Sequence, residues 1–88
     1  MAQLGADVEQ LDRLAAKFKE KAAEIGQMQS QVSAQIGSTW WQGADADRFR
    51  SQWDGEVRGQ LAKLSQLLER TATVVTKQAA DQRAVSQR

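Results

Sequence analysis

Residues 37–49 read GSTWWQGADADRF and separate two long stretches of helical pattern. They hold two of the chain's three tryptophans and two of its six glycines. Gly37 stands where a preceding helix is expected to stop, and Gly43 allows a backbone turn with positive φ. The chain contains no proline and few paired β-branched residues, which favours helix on both sides. The stretch therefore predicts a bend between two helices.

The half of the chain before this bend carries one apolar stripe. Its residues alternate in steps of four and three, a spacing that holds a stripe toward a neighbouring helix with coiled-coil-like packing. The positions are Leu4, Val8, Leu11, Ala15, Phe18, Ala22, Ile25, Gln29, Val32 and Ile36. Leu14 and Met28 widen the stripe to a face suited to a bundle. With Asp7 as an acidic cap and Gln10 three residues later, helix 1 is expected over about residues 6–37.

The half after the bend repeats this scheme. Its apolar face is predicted at Ala46, Phe49, Trp53, Val57, Leu61, Leu64, Leu67, Leu68, Thr71, Val74 and Val75. Asp45 is the expected N-cap, although Thr39 and Gln42 could form a capping box that starts the helix earlier. Helix 2 is therefore expected over about residues 45–84, after a turn over about residues 38–44.

So short a connection predicts that the helices fold back on each other as an antiparallel hairpin. A chain of 88 residues has difficulty burying enough apolar surface, and a lone hairpin leaves part of each wide face uncovered. We therefore expect one all-α domain, residues 1–88, in which two hairpins dimerise into a four-helix bundle. Core and dimer-interface positions are predicted at Leu11, Phe18, Ile25, Val32, Phe49, Trp53, Val57, Leu64 and Leu68.

The composition argues against several functional classes. The chain contains no histidine, cysteine or tyrosine, so the usual general bases and nucleophilic pairs cannot be built. We expect no enzyme, no cofactor and no metal site. Twelve basic and eleven acidic residues are interleaved, which gives no electrostatic case for nucleic acid. No apolar run approaches the roughly 20 residues of a membrane helix, and the first residues lack the apolar segment of a cleavable signal peptide.

The triplet Trp41-Gln42-Gly43, followed by Ala46, Phe49 and Trp53, lies between heptad-like halves in a chain of nearly one hundred residues. This arrangement resembles the WXG family, the small helical-hairpin proteins similar to the early secreted antigen and its partner. The opening LGADVEQLDRLAAKF also resembles actinobacterial members. The resemblance covers essentially the whole chain.

The resemblance implies hairpins that pair as homodimers or heterodimers and leave an actinobacterial or Firmicutes cytoplasm by type VII secretion. Such dimers are delivered to a membrane-bound secretion ATPase, without a cleaved signal peptide. By position, Trp41 and Gly43 would form the turn half of a two-part export signal. The other half in the family is a Tyr-x-x-x-Asp/Glu motif near the C-terminal end of the partner's second helix.

This chain departs from the family pattern because it has no tyrosine. A partner subunit could supply the missing motif, other residues of the C-terminal helix could be recognised, or the chain is not itself a strong export substrate. The first alternative is favoured and points to a heterodimer.

The tryptophans also have purely structural interpretations. Packing at the end of the bundle accounts for Trp41, and Trp53 is expected in the core. Two adjacent tryptophans in a turn do not readily both point inward, so Trp40 is the candidate for an exposed docking residue.

The leading hypothesis is a small non-enzymatic secreted protein that acts as a dimeric effector, export partner or chaperone. Its expected partners are itself or a related WXG protein, and the secretion ATPase, with membrane contact only during export. Neither nucleic acid nor a small-molecule substrate is expected. The alternative is an intracellular helical-bundle scaffold or adaptor that is not exported. A third possibility, membrane activity after release, has a weak signature because basic residues are not concentrated on the polar side.

Overall fold

The structure, a computed structural model, describes residues 5–86. Helix α1 spans Val8–Ser38. The second arm consists of α2 (Ala44–Gln52), a five-residue π-helical turn (Trp53–Val57, the π-turn) and α3 (Arg58–Ser86). The described part of the chain contains no strand. The molecule is elongated, with dimensions of 67 × 22 × 17 Å along its principal axes.

Side-chain contacts between the arms show that they run antiparallel. As residue numbers rise along α1, the numbers of their partners in the second arm fall. The contacts are an ion pair of Asp12 with Arg83, a hydrogen bond from Ser65 Oγ to the Ala22 carbonyl at 3.0 Å, and one from Trp53 Nε1 to Ser33 Oγ at 2.9 Å. The predicted all-α antiparallel hairpin is therefore confirmed.

Alanine occupies the centre of the helix–helix seam. The buried residues in the described part of the chain are Ala15, Ala22, Ala46, Ala72 and Ala79. Small side chains at a helix contact allow the two axes to approach closely. The larger members of the α1 stripe are half-buried on either side of this line, namely Val8, Leu11, Phe18, Ile25, Gln29, Val32 and Ile36. The four-three stripe predicted for α1 is therefore confirmed over these residues, and Leu4 lies outside the described residues.

The N-terminal cap of α1 follows the prediction. Asp7 is the N-cap, and its Oδ1 accepts a hydrogen bond from the backbone N–H of Gln10 at 3.0 Å. The helix passes Gly37 by one residue and ends at Ser38. Thr39 then serves as the C-cap, and its hydroxyl donates to the Gln35 carbonyl at 2.6 Å. This contact ties Thr39 to the first helix rather than to a capping box for the second.

The N-cap predicted for the second arm is wrong. Gly43, not Asp45, is the N-cap of α2, and the Asp47 N–H donates to the Gly43 carbonyl at 3.0 Å. Asp45 instead lies in the first helical turn, where its carboxylate pairs with Arg48 at 3.6 Å. The physical reason is that Gly43 is the last residue whose backbone is not helical. A carboxylate in this first turn still interacts favourably with the helix dipole.

The π-turn changes the register of the second arm by one residue. In it the Arg58 N–H donates to the Trp53 carbonyl, five residues back instead of four. Before it, the buried and half-buried positions are Ala46, Arg50, Trp53 and Val57. After it, they continue mainly as Leu61, Ser65, Leu68, Ala72, Val75, Ala79 and Gln82. Each of these lies one residue later than an unbroken four-three repeat would place it.

One residue corresponds to about 100° of rotation around a helix, so the π-turn moves other apolar residues outward. Leu64, Leu67 and Val74 continue the repeat that precedes the π-turn, yet they are 44%, 50% and 58% exposed in the hairpin. Ser65 and Ala72, which the sequence pattern did not place on the face, lie at the seam in their stead. The predicted face of the second arm is thus divided between the seam and the surface.

Candidate functional site

The connection between the two arms comprises residues 39–43 and contains the Trp-x-Gly triplet. At its end Gly43 has φ 120° and ψ 178°, a backbone region that essentially only glycine adopts. A Cβ placed on Gly43 would meet no atom within 4 Å. Backbone conformation, and not lack of space, therefore requires glycine at this position.

Arg50, a residue of the second arm, is hydrogen-bonded to the backbone of the connection. Its Nη1 donates to the Trp41 carbonyl at 2.8 Å, and its Nη2 donates to the Thr39 carbonyl at 3.1 Å. Both carbonyls lie beyond the end of α1, where no helical N–H reaches them. The planar guanidinium can serve two acceptors at once, which the single ammonium of lysine does less well. One side chain thereby ties together two peptide units of the Trp-x-Gly connection.

Sequence reasoning missed Arg50, although a signal was present. Arg50 stands four residues after Ala46 and three before Trp53, both of which were assigned to the packed face. A charged residue at a half-buried position of an apolar repeat needs hydrogen-bond partners. That requirement indicates nearby backbone acceptors, but it does not say which ones.

The aromatic residues of the connection are largely open to solvent. The rings of Trp41 and Phe49 are in tilted contact, with centroids 5.5 Å apart and an interplanar angle of 47°. Even so, Trp41 keeps 41% of its surface exposed, and Trp40 keeps 84%. The expectation that one of the adjacent tryptophans stays exposed is confirmed for Trp40. Its docking role remains a prediction, as does the packing of Trp41 at the end of a bundle.

Trp53 connects this end of the second arm to α1. It is half-buried in the hairpin, and its indole Nε1 donates to Ser33 Oγ at 2.9 Å. Ser33 was not identified from the sequence, and its signal is weak because it lies four residues after the polar Gln29. Buried Ala46 lies in the first turn of α2. The connection is therefore anchored at Arg50, at Trp53 and through the backbone of Gly43.

A second candidate surface runs along one side of the hairpin. Equivalent heptad positions of two antiparallel helices lie on the same side of the pair, because a twofold rotation relates the helices. Half-buried Phe18 and Ile25 follow the alanines of α1 by three positions, and half-buried Val75 follows Ala72 by three positions on α3. We define this side as the apolar face, which comprises Leu11, Leu14, Phe18, Ile25, Met28, Val32, Leu61, Leu64, Leu68 and Val75. The Asp12–Arg83 ion pair occupies positions that belong to the opposite side.

The predicted core residues therefore do not form one site. Leu11, Phe18, Ile25, Val32, Leu64 and Leu68 belong to the apolar face, whereas Phe49 and Trp53 lie at the end of the molecule that carries the connection. Val57 is half-buried at the end of the π-turn. Whether these residues contact a second subunit remains a prediction.

Charged pairs stabilise the exposed surface of α1. Lys17 and Glu20 lie 2.8 Å apart, and Lys21 and Glu24 lie 3.0 Å apart. The hydrogen bond from Lys17 and its positive charge lower the pKa of Glu20, and the hydrogen bond to Glu20 and its negative charge raise the pKa of Lys17. The hydrogen bond to Asp12 raises the pKa of Arg83. These shifts arise from ordinary surface pairs and do not resemble catalytic tuning.

Within residues 5–86 no group of three or more acidic, histidine or cysteine side chains is arranged to hold a metal ion. None of the helices in that range combines the length and the apolar character that crossing a membrane requires.

Comparison with protein-family models identifies the family of the chain. The family model WXG100, described as proteins of 100 residues with WXG, matches residues 3–85 of the chain. The matched range includes the connection with Trp41 and Gly43 as well as both arms. No curated protein and no solved structure matches.

Proposed function

We propose that this chain, which belongs to the WXG100 family, is a non-enzymatic hairpin subunit that dimerises through its apolar face and leaves the cell by type VII secretion. Members of this family are generally small secreted proteins without enzymatic activity that are linked to type VII secretion. They typically form dimers with themselves or with relatives. The particular role, partner and export signal of this chain belong to the proposal.

The observation that carries the proposal is the absence of a core of large side chains. In the described part of the chain no residue larger than alanine is buried. The apolar face keeps its leucines, isoleucine, valines and phenylalanine only half covered. Apolar surface contributes roughly 25 cal/mol to stability for each Å² removed from water, so a second hairpin on this face would supply what the single hairpin lacks. This supports a four-helix bundle as the working form.

The Trp-x-Gly connection supports the export part of the proposal. Gly43 and Arg50 constrain its backbone, while Trp40 and Trp41 remain exposed at the end of the hairpin. A constrained backbone with exposed aromatic rings binds a partner at a smaller entropic cost than a mobile loop does. We infer that Trp41 and Gly43 form the turn half of the export signal. The dimer would then be delivered to the secretion ATPase.

The chain lacks the tyrosine that the second half of the family signal uses. We infer that a related partner subunit supplies it, so that this chain acts as an export partner, chaperone or effector within a heterodimer. Its origin would be an actinobacterial or Firmicutes cytoplasm.

Export is tested by comparing culture filtrate and cell lysate from an actinobacterial host with an intact or a deleted type VII ATPase. We expect the chain in the filtrate only when the ATPase is present. Trp41→Phe should lower export while leaving the helical circular dichroism unchanged. Gln27→Ala, which changes an exposed residue of α1 outside the connection, is the control and should be exported normally.

A chain that stays in the lysate of the intact host, or that reaches the filtrate equally without the ATPase, would contradict the proposal. Full retention inside the cell would favour the intracellular scaffold. Equal export of Trp41→Phe and the wild type would remove the role given to Trp41 while leaving the route unaffected.

A further inference from the structure

The π-turn creates a second apolar stripe, on the outward side of α3. Leu64, Leu67, Thr71 and Val74 follow one another in steps of three, four and three residues, which is the spacing of a coiled-coil seam. We define these four residues as the outer stripe, which shares Leu64 with the edge of the apolar face. The three aliphatic members are 44–58% exposed, whereas Thr71 is half-buried. Leu61, Ser65, Leu68 and Ala72 lie at the seam with helix α1, which leaves the aliphatic residues of the outer stripe largely uncovered.

A basic row accompanies this stripe. Lys63 and Arg70 lie one heptad apart, and each precedes a member of the stripe by four residues, so both lie along the same edge. Neither makes an ion pair within the described part of the chain. The next position in the row, Lys77, is paired with Asp81 at 3.4 Å. Lys63, Leu64, Leu67 and Arg70 line one open groove together with Gln60 and Gln66.

We propose that the outer stripe binds a helix from a different protein chain, and that this helix carries an apolar stripe flanked by acidic residues. Charges beside a helical seam determine partner choice, because opposite charges across the seam attract and like charges repel. The aliphatic stems of Lys63 and Arg70 would add apolar contact while their charged ends reach the acidic side chains. This inference deepens the proposed function and rests on its premise that the chain works as a subunit.

A second copy of this chain fits the outer stripe poorly. If two outer stripes packed together about a twofold axis, the basic rows would lie in the same interface and repel. If the stripe packed on α1 of a second copy, it would find little free acidic charge. Of the four acidic residues of α1, Asp12, Glu20 and Glu24 are already paired with basic residues, and only Glu9 is not. Helix α1 of a second copy therefore complements the basic row poorly, whereas a heterologous helix with acidic flanks complements it.

The test uses the full-length chain and two synthetic helical peptides with the same leucine stripe. One peptide has glutamate at the flanking positions and the other has lysine. Binding is measured by fluorescence anisotropy at low and at high salt, with the mass of the chain alone and of the mixture determined by light scattering. We expect the glutamate peptide to bind about tenfold more tightly than the lysine peptide at low salt. High salt should reduce the difference.

Two double variants test the basic row. Lys63→Glu with Arg70→Glu should reverse the order of the two peptides. Arg13→Glu with Lys19→Glu is the matched control, since these exposed residues of α1 also make no ion pair within residues 5–86. The control should keep the wild-type order.

Two serine variants test the stripe itself. Leu67→Ser should abolish binding of the glutamate peptide without loss of helicity, because half of the leucine surface is already exposed. Ala80→Ser changes an exposed residue of α3 that lies off the spacing of the stripe and should bind like the wild type.

Equal binding of the two peptides, or an unchanged order in the Lys63→Glu, Arg70→Glu variant, would overturn the proposal. So would a stable homodimer near twice 9.7 kDa that Leu67→Ser dissociates, because a second copy would then cover the stripe. These measurements use purified protein. A failure of export would therefore contradict the proposed function and leave this inference to be decided by binding.

Discussion

Replacing Gly43 by alanine is the sharpest test of the connection. Gly43 has φ 120° and ψ 178°, and a residue with a side chain held in this region costs of the order of 1–3 kcal/mol. The added methyl group would meet no atom within 4 Å, so steric overlap with neighbours adds nothing. Gly43→Ala should therefore lower the free energy of unfolding by about 1–3 kcal/mol.

The strained backbone has one route of relief, and the structure shows why that route is also unfavourable. If the backbone at position 43 moved to an ordinary negative φ, the direction of the chain between α1 and α2 would change. The carbonyls of Thr39 and Trp41 would then leave the guanidinium of Arg50, to which they are bonded at 3.1 and 2.8 Å. Each hydrogen bond to a charged group contributes about 1.5–3 kcal/mol when shielded, and less where solvent reaches it, as it does here. A backbone that keeps the strained conformation and one that relaxes and loses the Arg50 hydrogen bonds both lower the free energy of unfolding.

Gly26→Ala is the matched control. Gly26 lies inside α1 with ordinary helical backbone, and a Cβ there also meets no atom within 4 Å. Alanine is favoured over glycine in a helix interior by about 0.8–1 kcal/mol, so this variant should be more stable than the wild type. Both substitutions reduce the conformational entropy of the unfolded chain equally. Opposite changes in the free energy of unfolding would therefore be caused by the folded conformation at position 43.

Urea unfolding followed by far-ultraviolet circular dichroism measures both variants. The protein concentration must be the same throughout, because dimer formation makes the apparent stability depend on concentration. A Gly43→Ala variant as stable as the wild type, with Gly26→Ala stabilised as expected, would refute the backbone argument.

Three further predictions concern other contacts of the hairpin. Arg50→Met should destabilise the fold by about 1–3 kcal/mol, and ¹⁵N relaxation should show greater backbone mobility in the connection. Arg48→Met is the control, because it breaks only an exposed ion pair and should stay within about 0.5 kcal/mol of the wild type. Asp7→Ala removes the N-cap of α1 and should cost about 0.5–2 kcal/mol in thermal unfolding, and an unchanged melting temperature would contradict the capping role. Because Lys17 lowers the pKa of Glu20, this pair stabilises the fold above the ordinary glutamate range, and the contribution is lost as pH falls through the lowered pKa. Lys17→Met should move the Glu20 titration in carboxyl ¹³C spectra to higher pH, and an unmoved titration would show that Lys17 is not the cause.

The local sequence pattern was sufficient to predict the helices, the antiparallel hairpin and the α1 stripe. The four-three repeat from Val8 to Ile36 predicts which side of α1 packs, since a helix places those positions on one side whatever it packs against. The cap at Asp7 depends on atoms three residues apart, and the connection depends on glycine chemistry at Gly43. The helices and the cap arise from interactions within about one helical turn, and the antiparallel hairpin follows from the short connection between the helices.

The choice between Asp45 and Gly43 as N-cap was not decided by local pattern. Aspartate is a good cap, and residue preferences alone rank it above glycine. The chain direction at the connection is set over a longer range, by Arg50 reaching back nine and eleven residues to the carbonyls of Trp41 and Thr39. Helix α2 begins one residue before Asp45.

Tertiary packing alone decided the register of the second arm. An unbroken repeat after Val57 leads to Leu64, Leu67 and Val74, a more apolar set than the Ser65 and Ala72 that lie at the seam. One extra residue in the π-turn brings Ala72 and Ala79 to the seam, where α1 presents Ala15 and Ala22. The choice depends on how two helices distant in sequence fit together, because small residues on both sides permit close approach. The hydrophobic pattern of a single helix contains no information about that fit. The sequence therefore predicted that the second arm is amphipathic, but it did not predict which of its apolar residues face outward.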